Sequence, residues 1–301
     1  MLNRREFLRH GSMAAGAVLL GNSLAAAPHK PLLSFSTLGC PAWTLPQAIQ
    51  FASANGYNGL EFRGIHGEMD LTKSQEFGSK GSVENVKRSM AAAGLQIVSL
   101  GSSAELHHTD NARNQSAMDE AKRYIELADG LDCRYIRVFP NALPANQDKK
   151  ATLDLIAGRL NDLSAFAANS GVTVLMETHG DVVHAEDIAY IMQHAGKNAG
   201  LIWDIYNMWS ITKEPPAKVY EQIKSHIRHI HVKDGKRVDG KIRYVLMGKG
   251  EAPVKEAVKA LQQGGYKGFY SFEWEKRWHP EIEEPEVALP AFPGEFKRYF
   301  S

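Results

Sequence analysis

From residue 32 onward, short apolar runs alternate with longer stretches whose apolar residues recur at helical spacing, and the cycle repeats eight times. The runs predict strands over residues 32–40, 57–63, 95–100, 134–139, 172–178, 199–205, 227–233 and 269–275. Helices are expected over 45–55, 83–93, 116–128, 149–169, 185–194, onward from the Pro215-Pro216 pair, over 254–263, and over 285–300 with breaks at Pro290 and Pro293. Asp234-Gly235 and Asp239-Gly240 mark the turns of an excursion hairpin after the seventh strand. Strands and helices alternating at this spacing make parallel βαβ units, and eight units in this length fit a single (β/α)8 TIM barrel. A doubly wound open sheet would want a glycine-rich phosphate turn after strand one, and Leu38-Gly39-Cys40-Pro41 is not one.

The first residues belong to a different pattern. Asn3 to Arg9 is charged, residues 13–20 are apolar and small, and alanines fill 25–27, which is the layout of an export signal. The apolar part is too short to span a bilayer. Arg4-Arg5 followed by Glu6, Phe7 and Leu8 resembles the twin-arginine signal. That resemblance implies export to the periplasm of an already folded protein, with residues 1–27 as signal and 28–301 as barrel. An uncleaved amphipathic extension is the alternative. No cysteine follows the small residues, so no lipid or membrane anchor is expected. The formal charge is +1, of which the signal takes +2, leaving a near-neutral body that gives no support for nucleic acid or anionic membrane as partner. Cys40 and Cys133 are the only cysteines and make no disulfide framework; both are expected to be free.

In a barrel, side chains at the C-terminal ends of the strands converge on one mouth. Strand five ends Glu177-Thr178-His179, strand six Trp203-Asp204-Ile205-Tyr206-Asn207, and strand eight Phe272-Glu273-Trp274-Glu275. Strand seven reads His229-Ile230-His231-Val232-Lys233-Asp234, in which alternation sends His229, His231 and Lys233 to one face. Four successive strands therefore finish with a residue able to bind a metal: Glu177, Asp204, His231 and Glu273. Taken singly, Glu177 or Asp204 could instead cap the following helix. Taken together, three carboxylates in one confined mouth would drive up one another's pKa unless a cation shared the space. An oxygen-rich set with one imidazole suits one divalent ion, Mn2+, Mg2+, Co2+ or Zn2+ with open positions, and argues against a closed structural zinc site.

The ETH of strand five, WDxxN of strand six, HVKD of strand seven, the Gly268-to-Glu273 spacing of strand eight and the GYNGLEF of strand two resemble the xylose isomerase-like sugar phosphate isomerase/epimerase superfamily over essentially the whole mature chain. The resemblance implies that Glu177, Asp204, His231 and Glu273 hold the metal. It also implies that Glu177 and Glu273, on opposite sides of it, move protons through an enediolate. His179, Asn207 and His229 are candidates to orient the ligands, and His179 and Asn207 also to meet substrate. Lys233 and Arg137 are candidates for substrate oxygens, with pairing to Asp234 or Glu251 as the alternative for Lys233. Glu61 and His66, placed after strand two, face the same mouth. Trp43, Tyr206, Trp209 and Trp278 crowd the mouth side, whereas Trp274 alternates away from Glu273 and is expected to pack behind the wall.

The chain departs from the family pattern at Gly248-Lys249-Gly250-Glu251 and in the extension Glu275 to Pro280, both on the substrate side. The expected activity is a metal-dependent isomerase or epimerase on a non-phosphorylated sugar or keto-sugar derivative. The alternatives are a lyase eliminating from 3-keto-glycosides, a non-catalytic carbohydrate-binding barrel, and a DNA endonuclease on the same barrel. The expected partners are a small carbohydrate and, as is frequent among such barrels, further copies of the chain.

Overall fold

The computed structural model describes residues 30–300, so the predicted export signal lies outside the described residues. Among the described residues ten strands and nine α-helices follow one another: β1 Leu32–Ser36, α1 Leu45–Ala54, β2 Gly59–Phe62, α2 Lys80–Ala92, β3 Gln96–Glu105, α3 Asn111–Gly130, β4 Tyr135–Phe139, α4 Lys149–Phe166, β5 Thr173–Glu177 and α5 Ala185–His194. They continue as β6 Ala199–Asp204, α6 Ile205–Thr212, α7 Pro216–Ile223, β7 Ile227–Val232, β8 Asp234–Val238, β9 Lys241–Val245, α8 Val254–Gln263, β10 Phe269–Phe272 and α9 Pro285–Lys297. Eight strands close into a parallel barrel in the order β1-β10-β7-β6-β5-β4-β3-β2, as the alternation predicts. β8 and β9 pair antiparallel as the excursion hairpin.

Local chemistry sets the helix starts. Thr44 and Gln47 form a reciprocal capping box on α1, and Ser79, Asp110 and Asp148 cap α2, α3 and α4 through side-chain oxygens. Asp110 therefore starts α3 five residues before the predicted position 116. A second correction concerns β6: the chain turns directly into α6, capped by Asp204 Oδ1 on the Asn207 N–H at 2.8 Å, and Lys213 in the left-handed region ends it before the proline pair opens α7.

A third correction is α9, which runs unbroken through Pro290 and Pro293. A proline leaves the carbonyl four residues earlier without its helical donor. For Pro293 that carbonyl belongs to Leu289, and it accepts the Tyr57 hydroxyl at 2.6 Å. Phe292 stacks on Phe272 of the wall at 4.5 Å, so burial of the same turn offsets the remaining cost. Trp274 packs behind the wall as expected, stacked on Phe272 with its Nε1 donating to the Glu283 carbonyl.

The helices cover the outer face of the barrel, but its interior departs from the usual layers of branched aliphatics. Ser34, Glu61, Ser99, His229, His231 and Ser271 are all fully buried, and Glu61 of β2 reaches His229 and His231 of β7, strands that are not neighbours in the sheet. The lumen is thus wired with polar groups beneath the mouth.

Cys40 and Cys133 are free and buried, and burial pushes both thiols well up, Cys133 to about 12. A thiol that stays protonated and covered does not react. Ellman titration is expected to find no accessible thiol in the native protein and both after denaturation; rapid native labelling at pH 8 would contradict this placement.

Candidate metal centre

Asp204, the last residue of β6, does two jobs. Its Oδ1 caps α6 while Oδ2 faces Lys233 Nζ at 2.8 Å and His231 Nδ1 at 4.0 Å. The capping reading and the ligand reading therefore both hold, one for each oxygen. Glu177 ends β5 without capping anything. Its Oε2 accepts Arg137 Nη1 at 3.0 Å, and its Oε1 lies 3.6 Å from His231 Nδ1 with Asn207 Nδ2 at 3.4 Å. Glu273, just past β10, brings Oε2 to 3.3 Å from the same His231 nitrogen.

One atom of each of Glu177, Asp204, His231 and Glu273 lies within 4.8 Å of the other three, and all four residues are buried. His231 Nδ1 makes no hydrogen bond although it is buried, and it looks onto three carboxylates. A buried ring nitrogen without a hydrogen bond, together with the three carboxylates it faces, makes a donor set for a divalent cation.

Electrostatics supports this fit. Burial pushes Asp204 up, to about 7, with Glu273 and Glu177 adding to the rise against the opposing Lys233. Burial would also raise Glu177 and Glu273, but Arg137 and His231 hold the first below the ordinary carboxylate range, and His231 with Lys233 holds the second well below it. His231 resists burial because Glu273, Glu61 and Glu177 surround it, and it sits well above the usual histidine range. An imidazole kept protonated only by facing carboxylates gives up that proton when a cation takes over their charge.

Behind the ligands stands Glu61. It lies inside β2 rather than after it, both oxygens are 3.0–3.1 Å from His231 Nε2, and Oε2 is 2.8 Å from His229 Nε2. This corrects its expected place on the mouth: a carboxylate behind a ligand histidine fixes the ring and raises its basicity. His229 joins it there. Glu61→Gln is expected to weaken divalent-metal affinity by about 10–100-fold, read by isothermal titration; unchanged affinity would remove Glu61 from the support of His231.

His66 is not brought in. It sits exposed at the tip of a turn bridged by Ile65 and Glu68, with a positive φ of 49°. His179 stands at the rim, its Nδ1 2.7 Å from Asn141 Oδ1 and its ring 4.5 Å from Phe139. Arg137 is fully buried and bridges Glu177 at 3.0 Å to Glu273 at 3.6 Å. Lys233 pairs with neither Asp234 nor Glu251; its Nζ is 2.6 Å from Glu273 Oε2, 2.6 Å from Glu275 Oε1 and 2.8 Å from Asp204 Oδ2.

Glu275 is the residue sequence reasoning passed over, and its two-residue spacing from Glu273 was the signal for a shared face. Asp234 instead accepts the backbone N–H groups of Gly235, Gly248, Gly250 and Ala252. A Cβ at Gly250 would fall 2.0 Å from Asp234 Oδ1, which is why the unusual Gly248-Lys249-Gly250 loop needs its second glycine. That clamp holds the hairpin at the mouth, where Tyr244 lies under His279 at 4.9 Å and 5.7 Å from Lys233 Nζ.

With this geometry in place, the model of the xylose isomerase-like TIM barrel family matches residues 49–291. A curated relative, the uncharacterized protein YihM of Escherichia coli (strain K12), is 22% identical over 223 residues. That alignment takes in 71% of this chain and 61% of the relative's length, so the chain spans under two thirds of it. Among solved structures, the IOLI protein with a bound zinc atom superposes with a TM-score of 0.74 at 17% identity, covering 90% of this chain and 99% of that one. The 3-keto-D-glucoside 4-epimerase YcjR from E. coli, in its apo form, gives 0.69 at 15% identity, covering 90% and 99%. At these identities the superpositions establish the fold.

Proposed function

The chain belongs to the xylose isomerase-like TIM barrel family, and from that premise we propose that it is a divalent-metal-dependent isomerase or epimerase acting on a non-phosphorylated sugar or keto-sugar derivative. The observation that carries this reading is the pair Glu177 and Glu273, each beside His231 Nδ1 at 3.6 and 3.3 Å and bridged by Arg137. Glu177, Asp204, His231 and Glu273 would hold the ion. Bound there, it would supply Lewis-acid stabilisation of the negative charge that builds when a hydrogen leaves the carbon beside a carbonyl.

The protein's own groups do the rest. Glu177 and Glu273 come from strands separated by β6 and β7, and in this reading one takes the proton and the other returns one. Arg137 keeps both carboxylates ionised and therefore able to accept. Lys233, Asn207 and His179 are the polar groups left to meet substrate oxygens, and Tyr244 and Trp278 offer apolar faces to a ring. That a structural neighbour is named as a 3-keto-glucoside epimerase agrees with a keto-sugar substrate.

The test is incubation of the metal-loaded protein with keto-sugars and 3-keto-glycosides in D2O, followed by NMR. A rearranged sugar carrying deuterium at the reacting carbon is expected. Release of an aglycone would make the protein a lyase using the same enolate, and sugar binding indifferent to chelation, with no turnover, would make it a binding barrel. We also propose that residues 1–27 direct twin-arginine export to the periplasm; retention in the cytoplasm of cells lacking that route, and unaltered export of an Arg4→Lys/Arg5→Lys variant, would be the supporting and the opposing result.

A further inference from the structure

We propose a second divalent-metal site at the mouth-side end of β3, formed by Glu105, His107 and His108 and selective for zinc over magnesium or manganese. Glu105 is the last residue of β3, and its Oε2 is 3.0 Å from His108 Nε2 and 3.9 Å from His107 Nδ1. One ligand atom from each of the three lies within 4.8 Å of the others, and the two rings stand 4.1 Å apart at 47°. Ligands on one ion at about 2.0–2.2 Å sit roughly 3–3.5 Å apart, so small side-chain adjustments close the set. His107 Nδ1 is buried and makes no hydrogen bond, an orphan polar atom that this ion would satisfy.

The backbone that carries the cluster is pinned. Leu106 between the ligands is fully buried, its N–H donates to the Phe139 carbonyl at 2.8 Å and its carbonyl accepts Arg159 at 2.6 Å, while Asp110 caps α3 just beyond. The remaining Glu105 oxygen accepts Asn141 Nδ2, the kind of hydrogen bond that orients a ligating carboxylate. None of these residues belongs to the centre at Glu177, Asp204, His231 and Glu273. The chemistry differs too. Two imidazoles and one carboxylate favour zinc, whereas three carboxylates and one imidazole also accept magnesium and manganese.

Isothermal titration of the untagged full-length protein with ZnCl2, with circular dichroism to check folding, tests the site. Two equivalents are expected for the wild type, one for His107→Ala/His108→Ala, one for His231→Ala and none for the combination, while MgCl2 should report only the centre that contains His231. Glu105→Ala, which removes the ligand oxygen outright, is the second variant should the histidine pair fail to fold, and it is expected to lose the same equivalent. Zinc stoichiometry identical in the wild type and in either folded β3 variant overturns the proposal.

Discussion

Glu273→Gln is expected to lower turnover by about 100- to 10,000-fold with the metal still bound, and Glu177→Gln to do the same. The magnitude follows from removing a positioned proton acceptor while leaving an oxygen able to coordinate. The amide keeps the shape of each side chain, so the Arg137 bridge at 3.0 and 3.6 Å loses charge but not its place. KM should move less than kcat, because the amide keeps an oxygen facing Lys233 or Asn207 and His179 is held by Asn141.

The two variants should also differ from each other. If one glutamate removes the hydrogen and the other returns it, the variant that keeps the removing group still exchanges substrate hydrogen with D2O without releasing epimerised product. Metal content by mass spectrometry, solvent-deuterium wash-in and product formation together read this out. Full turnover by either variant with a full complement of metal would end the proton-transfer assignment.

The barrel was legible because hydrophobic periodicity survives in a single sequence: the period switches between 2 and 3.6 at each βα junction, and the eight switches set the fold. The ligand set was legible for a related reason, since a barrel sends every strand end to one place. What sequence spacing hid is contact across the lumen. Glu61 and His231 are 170 positions apart on strands that do not pair, and Arg137 meets Glu177 and Glu273 from β4.

Lys233 illustrates the limit sharply. The sequence suggested Asp234 or Glu251 as its partner, yet Lys233 turns to Asp204, Glu273 and Glu275 while Asp234 accepts the backbone of the hairpin base, so the carboxylate adjacent in sequence is one it does not pair with. Helices α6 and α9 were obscured differently. A short apolar segment after Asp204 carries little helical period, and a helix with two internal prolines persists only because Tyr57, far away in sequence, satisfies the carbonyl that Pro293 leaves free.

Lys233→Met tests whether the lysine and a divalent ion stand in for each other. The ammonium is buried among Asp204, Glu273 and Glu275 at 2.6–2.8 Å. Deleting one partner of a buried charged network leaves uncompensated anions and costs about 3–5 kcal/mol, which for a chain of this size is a fall in Tm of roughly 5–8 °C. That loss is expected in chelator. With a divalent ion supplied, most of it should return, because the cation neutralises the carboxylates that Lys233 no longer faces.

The deficit should also depend on pH. Without the lysine, the folded-state pKa of Asp204, already pushed up to about 7, rises further. A carboxylate whose folded pKa exceeds its unfolded value binds a proton in the native state that the unfolded chain lacks, so its contribution is fully present below the unfolded pKa and is lost as pH rises through the folded one. In chelator the variant is therefore destabilised more at pH 8 than at pH 5. Denaturant titrations at both pH values, with and without MnCl2, separate this from a simple packing defect, which would cost the same at each pH and would not respond to the ion.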